Sequence, residues 1–237
     1  FSANINPCGP PPWLRSLINK TLEQVCHYPD PENHQLVKTI ASRYAVDEKM
    51  VVAANGSTEL LYLLPDILNR QKVIVTEPSY IDYRKAFTLR NYELVSIMLE
   101  EAHGFRVLPE VINDVLTGGE VIVFGNPVNP TGSFLERHVI RELAKQNPET
   151  VFVIDEAFFE FHEPFSTCAG VDFGNIITLN SLTKFFAVPG LRIGFGLYPE
   201  KYATRVKELM PPWSVNTLAQ AFAEKALQDE NYCRETR

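Results

Sequence analysis

The residues with the most chemistry to offer lie between Asn180 and Gly194, where the chain reads N-S-L-T-K-F-F-A-V-P-G-L-R-I-G. Lys184 stands between two hydroxyls, Ser181 and Thr183, and an apolar run, Phe185 to Val188; Arg192 follows. A lysine in a partly apolar setting gives up its proton more readily than one in water, and its free amine condenses with an aldehyde to a Schiff base. An arginine fork and two hydroxyls suit phosphate oxygens. The ligand that fits this set is an aldehyde carrying a phosphate. A surface lysine and arginine around a Pro-Gly turn reads the same segment as well, so the rest of the chain has to decide.

Three further stretches could serve such a ligand. Asn55-Gly56-Ser57-Thr58-Glu59 follows a short apolar strand, Met50 to Ala53, and opens an apolar helix, Leu60 to Leu68. Ser57 or Thr58 would cap that helix, and free amides at its start would bind phosphate, with Gly56 letting the ligand approach. A capped helix with no ligand is the plainer alternative. Gly125-Asn126-Pro127-Val128-Asn129-Pro130-Thr131-Gly132 holds two Asn-Pro pairs, which force an extended loop. Ser133 and Glu136 then form a capping box for a helix through Lys145. Asp155 ends a strand that begins at Val151 and is followed by Glu156-Ala157-Phe158.

Placing these residues together requires a regular frame. Leu14, Leu17, Ile18 and Leu22 recur at helical spacing, as do Leu36, Ile40 and Tyr44. Tyr28-Pro29-Asp30-Pro31 is a turn between them. Strands are expected over Lys72 to Thr76, Glu93 to Leu99, Val121 to Phe124, Ile176 to Asn180 and Ile193 to Tyr198. Helices are expected from Ser79, as cap, through Asn91 and from Pro109 to Leu116, with proline in the first turn. A last helical pattern (Leu218, Phe222, Ala226) follows Pro211-Pro212-Trp213-Ser214 and meets no stop signal before the terminus. Helices alternating with short apolar strands predict an α/β fold, a three-layer α/β/α domain around a mostly parallel sheet. Sites in such sheets form beyond the carboxyl ends of strands. Asn129, Asp155 and Lys184 all fall there, so they are expected to converge.

The totals narrow the class of function. The 237 residues suffice for one large domain with a full core, and a net charge of −7 argues against nucleic-acid or anionic-membrane binding. The four cysteines are scattered with no CxxC pair, which points to a reducing compartment, and the five histidines show no metal-ligand spacing. No apolar run approaches a membrane span and no secretory leader is visible, so a cytoplasmic protein is expected.

In this order, N-G-S-T-E, P-S-Y, N-P-V-N-P-T-G, D-E-A-F, S-L-T-K and G-L-R-I-G resemble the fold-type I enzymes of pyridoxal 5′-phosphate (PLP), the aspartate aminotransferase superfamily. The likeness covers nearly the whole chain. Within that superfamily the chain is similar to the histidinol-phosphate aminotransferase branch, and more closely to the threonine-phosphate decarboxylases of cobalamin biosynthesis. The latter rests on Phe1-Ser2-Ala3-Asn4-Ile5-Asn6-Pro7, on Phe158, and on Pro212-Trp213-Ser214-Val215-Asn216. Aminotransferases of the branch usually carry tyrosine at the position of Phe158.

The resemblance implies a set of roles. Lys184 would form the Schiff base and Asp155 would face the pyridine nitrogen. Asn129 would donate to the cofactor's phenolic oxygen and touch substrate, and Tyr80 would stack on the ring. Gly56, Ser57, Thr58, Ser181, Thr183 and Arg192 would hold the phosphate. Tyr28 would reach the phosphate of a neighbouring subunit, which implies a homodimer with shared sites, and Asn4 would contact substrate. The implied reaction is decarboxylation of O-phospho-L-threonine. An aminotransferase acting on histidinol phosphate is the first alternative, and a non-catalytic PLP-fold binding protein the second. Residues 1–30 are expected to form an arm and turn, 31–212 the PLP-binding domain, and 213–237 the start of a helix toward a small C-terminal domain. That domain supplies the family's substrate-binding arginines, and it is expected to be missing from this chain.

Overall fold

The computed structural model describes residues 4–162, 167–170 and 173–237. Phe1, Ser2 and Ala3 of the amino-terminal motif lie outside the described residues.

Seven strands form one sheet: β1 (Val51–Ala54), β2 (Lys72–Glu77), β3 (Glu93–Met98), β4 (Val121–Gly125), β5 (Val151–Asp155), β6 (Ile176–Ser181) and β7 (Gly194–Leu197). Their order across the sheet is β1-β7-β6-β5-β4-β2-β3. Pairing is parallel from β3 to β6, whereas β7 runs antiparallel to both β6 and β1. The helices are α1 (Leu14–Thr21), α2 (His34–Tyr44), α3 (Ser57–Leu68), α4 (Asp82–Thr88), α5 (Pro109–Val115), α6 (Arg137–Gln146), α7 (Leu182–Phe185), α8 (Glu200–Leu209), α9 (Thr217–Ala226) and α10 (Glu230–Thr236).

Except for the edge strand β3, the strands are buried on both faces because both are covered. Successive residues of a strand point to opposite sides. Val73, Val75, Val121, Val123, Val151 and Val153 therefore meet α3, α4 and α8, while Ile74, Ile122, Phe152 and Ile154 meet α5 and α6. On the β1/β7 half, Val51, Ala53, Phe195 and Leu197 pack with α2, α9 and α10. Full burial of each such side chain is worth about 1.5–3 kcal/mol, so this three-layer core is what holds the sheet's carboxyl edge in place.

Register then decides what that edge presents. Gly125 pairs with Asp155, and Asp155 with Leu179, so β4 and β5 end at one level and β6 runs two residues further, to Ser181. Because β7 is reversed, its first residue, Gly194, lies opposite both Ser181 and Ala54, the last residues of β6 and β1. Arg192, just before β7, is thereby delivered to the same edge.

Several local expectations fail for identifiable reasons. Ser133 does not enter a capping box: its hydroxyl donates to the Phe105 carbonyl at 2.7 Å, and α6 starts later with Glu136 as an N-cap that makes no side-chain bond. Ser79 does not cap α4, which spans only Asp82–Thr88. The carboxyl-terminal helix is two helices. α9 ends at Ala226, and the Asp229 carboxylate accepts the Tyr232 amide at 3.0 Å to start α10. An aspartate cap thus performs the break for which glycine or proline was the expected signal. α8, where Tyr202, Ala203 and Val206 are buried between charged residues, carried no expectation at all. Among the described residues no helix is long and apolar enough to cross a membrane.

Candidate active site

A cavity of about 400 Å³ opens at the carboxyl edge of the sheet. Asn4, Ser57, Thr58, Tyr80, Asn129, Asp155, Ser181, Thr183, Lys184 and Arg192 line it, as do Phe158 and Tyr83. Residues separated by most of the chain thus share one space, as the strand-end argument required. A larger, open depression of about 760 Å³ lies between α2 and α10, but none of these residues lines it.

Lys184 sits in the single turn α7, directly after β6. Its backbone is clamped from the amino-terminal arm. The Asn6 amide donates to the Lys184 carbonyl at 3.0 Å, and the Asn6 side chain donates to the Phe185 carbonyl at 2.9 Å. Behind it Phe185 and Phe186 are wholly buried, so the lysine is mounted on a packed base. The Ser181 and Thr183 hydroxyls are 2.8 Å apart.

Asp155 ends β5 with each carboxylate oxygen engaged. Oδ2 accepts the Tyr83 hydroxyl at 2.8 Å, and Oδ1 accepts the Ala157 amide at 2.9 Å. Burial pushes its pKa above the ordinary aspartate value; the Tyr83 and Ala157 donors and the charge of Lys184 pull the other way without cancelling it. A half-buried carboxylate at a cavity wall, held by neutral donors, is a strong attractor for a protonated ring nitrogen.

The corner around Arg192 is built from glycines and a helix start. Gly56 has φ +85°, a conformation easy for glycine. A Cβ there would collide with the Arg192 guanidinium, so the missing side chain is the space Arg192 occupies. Gly194 acts similarly: a Cβ would strike the Ser57 amide nitrogen and lie 2.7 Å from the Asn180 carbonyl oxygen. Gly56 itself, not Ser57 or Thr58, is the N-cap of α3, and it makes no side-chain cap. Glu59 reaches back to accept the Asn55 amide at 2.7 Å. The two hydroxyls expected to cap the helix are on the cavity wall instead.

Asn4 and Asn129 meet, the Asn4 side-chain amide donating to Asn129 Oδ1 at 3.2 Å. Tyr80 stands edge-on to Tyr83, with ring centroids 5.5 Å apart. Its hydroxyl is pushed up to about 12, first by burial and then by Asp82. Two expected residues do not line the cavity: Gly56, which lies behind the Arg192 guanidinium, and Tyr28. Tyr28 is 79% exposed and stacks on Trp213 at 4.5 Å. Sequence reasoning missed Tyr83, Asn6 and Gly194. Gly194 and Asn6 stood in quoted segments, G-L-R-I-G and Asn4-Ile5-Asn6-Pro7, without being given a role, and Tyr83 stood in none.

The donor set fits a phosphorylated pyridine aldehyde: amine, carboxylate, and an arginine beside a helix amino terminus, each at a separate part of one cavity. Among the described residues no group of three or more His, Cys, Asp or Glu could hold a metal ion.

Comparison with known proteins agrees with this chemistry. The family model described as aminotransferase class I and II matches residues 1–237. The chain is 34% identical, over 98% of its length, to the adenosylcobalamin biosynthesis bifunctional protein CobDQ of Leptospira interrogans, of which it spans 27%. It is 31% identical, over its whole length, to the threonine-phosphate decarboxylase of Salmonella typhimurium, of which it spans 66%. The crystal structure of a histidinol-phosphate aminotransferase from Clostridium acetobutylicum superposes with a TM-score of 0.89 at 27% identity, covering all of this chain and 71% of that one. Members of this family use pyridoxal 5′-phosphate.

Proposed function

The chain belongs to the class I and II aminotransferase family, and from that premise we propose that its protein is a PLP enzyme that decarboxylates O-phospho-L-threonine to an aminopropanol phosphate. The observation that carries the reading is the convergence of Lys184, Asp155 and Arg192 on one cavity of about 400 Å³. Lys184 would hold the cofactor's aldehyde, Asp155 its ring nitrogen and Asn129 its phenolic oxygen, with Tyr80 against the ring. Gly56, Ser57, Thr58, Ser181, Thr183 and Arg192 would hold its phosphate. When bound, PLP supplies an electron sink for the charge that develops at the substrate's Cα.

The chain's own residues divide the remaining work. The free amides and dipole at the start of α3, with the Arg192 fork, favour a dianionic phosphate. Ionised Asp155 would keep a proton at the ring nitrogen. The Lys184 amine, once free, is placed to hold or return a proton at Cα. Asn4 would touch substrate beside Asn129, to which it is bonded. Phe158 on the cavity wall has no hydroxyl to offer, unlike the tyrosine usual in the related aminotransferases, and this favours the decarboxylase reading. Tyr28, exposed on its Trp213 platform, would serve the phosphate of a second copy in a homodimer.

Amino-group transfer from histidinol phosphate to 2-oxoglutarate is the second reading, favoured by the fold match to that aminotransferase. The full-length protein, loaded with PLP, is to be given each substrate in turn. Release of CO₂ from phosphothreonine without consumption of a keto acid is the expected result, lost in Lys184→Ala. Glutamate formed from 2-oxoglutarate would replace the first reading by the second, and turnover of neither would overturn both.

A further inference from the structure

We propose that Tyr83 is a positioning residue of the site, its hydroxyl fixing the orientation of the Asp155 carboxylate through the oxygen that the Ala157 amide does not hold. The inference rests on the cofactor reading above and deepens it by one residue.

Tyr83 belongs to α4, and its ring is 2% exposed within the core that α3, α4 and α8 share with the sheet. A buried phenol needs a partner for its hydroxyl. That partner is Asp155 Oδ2, at 2.8 Å, while Ala157 occupies Oδ1 at 2.9 Å. One donor on each oxygen, from two separate parts of the fold, sets the rotation of the carboxylate plane. It also leaves lone pairs on both oxygens for a ligand.

The chain makes room for this bond. Gly125 ends β4 in register with Asp155. A Cβ at Gly125 would lie 3.3 Å from the Tyr83 hydroxyl and 3.0 Å from the Pro127 carbonyl oxygen. α4, β4 and β5 therefore meet at one hydroxyl, a convergence that a tyrosine serving only as core filling would not need.

The titratable groups acting on this pair are Lys184 and Tyr80. Removing the hydroxyl leaves Asp155 with one donor, so the carboxylate becomes more basic and competes for the ring proton. Lys184, joined to a cofactor whose ring nitrogen Asp155 held less firmly protonated, would lose less charge from its nitrogen and would keep its proton to higher pH.

The test is Tyr83→Phe in the full-length, PLP-loaded protein, read by the pH midpoint of the cofactor's visible absorbance and by kcat and KM separately. The midpoint should rise by about half a unit to one unit, the size expected for one lost hydrogen bond to a carboxylate. kcat should fall roughly tenfold with KM changed far less, since the loss is felt mainly in the transition state. 3-Fluorotyrosine at position 83, a stronger donor of nearly the same size, should move the midpoint the other way, and it decides the matter if the phenylalanine variant does not fold. A wild-type midpoint in both variants, with only the melting temperature lowered, would reduce Tyr83 to a core residue while leaving the cofactor reading intact. Visible absorbance absent from wild type, or unaffected by Lys184→Ala, would overturn both.

Discussion

Two regions of the molecule each bury a carboxylate, and they treat it in opposite ways. Behind the site, Glu160 is ringed by cations: Arg43 at 3.0 Å and Arg237 at 3.2 Å on Oε2, with the Tyr44 hydroxyl at 2.6 Å on Oε1. Burial works against the charge of Arg43, yet Glu160 outweighs it and raises the guanidinium's pKa. That cluster is complete, and it ties α2 to the carboxyl-terminal helix α10 and to the stretch after β5. Asp155 and its neighbour Glu156 receive only neutral hydrogen bonds. Glu156 accepts from the Thr167 hydroxyl at 2.6 Å and the Cys168 amide at 2.7 Å. Burial pushes Glu156 up to about 7, against those same bonds. A saturated carboxylate is scaffolding. One left short of positive charge, at a cavity wall, is equipped to take a cationic ligand.

The comparison can be broken most forcefully at Glu160. Glu160→Ala takes the shared anion from two partly buried guanidinium groups, leaving Arg43 only the exposed Glu230 at 3.5 Å, and unfolding in urea should show a loss of about 2–3 kcal/mol. A loss below about 1 kcal/mol would mean that the cluster is no more than tolerated.

Glu156 sharpens the contrast through pH. Its folded pKa lies above the unfolded value of 4.5, at about 7, so the folded state binds the proton more tightly. Its contribution to stability is therefore full below pH 4.5 and is lost as pH rises toward 7, by an amount on the order of 3 kcal/mol. Glu156→Gln keeps an acceptor for Cys168 and should flatten the stability profile across that window. An unchanged profile would show that Glu156 does not titrate there.

The smallest effect on stability belongs to Asp155. Its pKa is also raised by burial, so its charge costs the cofactor-free fold something at neutral pH. Asp155→Asn should leave the melting temperature of the cofactor-free protein unchanged or slightly higher, a difference within about 1 kcal/mol, while PLP capture by Lys184 falls sharply. A destabilisation as large as that of Glu160→Ala would erase the distinction between the two regions.

Much of this molecule was legible before any coordinates. The apolar runs of β2, β4, β5 and β6 announce strands buried on both faces, because neighbouring residues must each meet a helix layer. Asn129, Asp155 and Lys184 were identifiable because residue type and position at or after a strand end are local properties, and Arg192 because it follows Lys184 within one short segment. Capping was less legible. Ser133, Ser57 and Thr58 have side chains that can bond several nearby groups, and the tertiary setting turned all three elsewhere.

The sequence by itself determined the alternation of helices and strands, the strand ends that carry chemistry, and the cluster of amine, carboxylate and guanidinium, since these depend on short stretches of chain. Only the tertiary structure decided that β7 runs backward and carries Arg192 to the Gly56 corner, that Asn6 clamps the Lys184 turn, and that Tyr83 reaches Asp155. Those outcomes depend on which distant surfaces exclude water together. Packing settles that across the whole core, and no spacing along the chain records it.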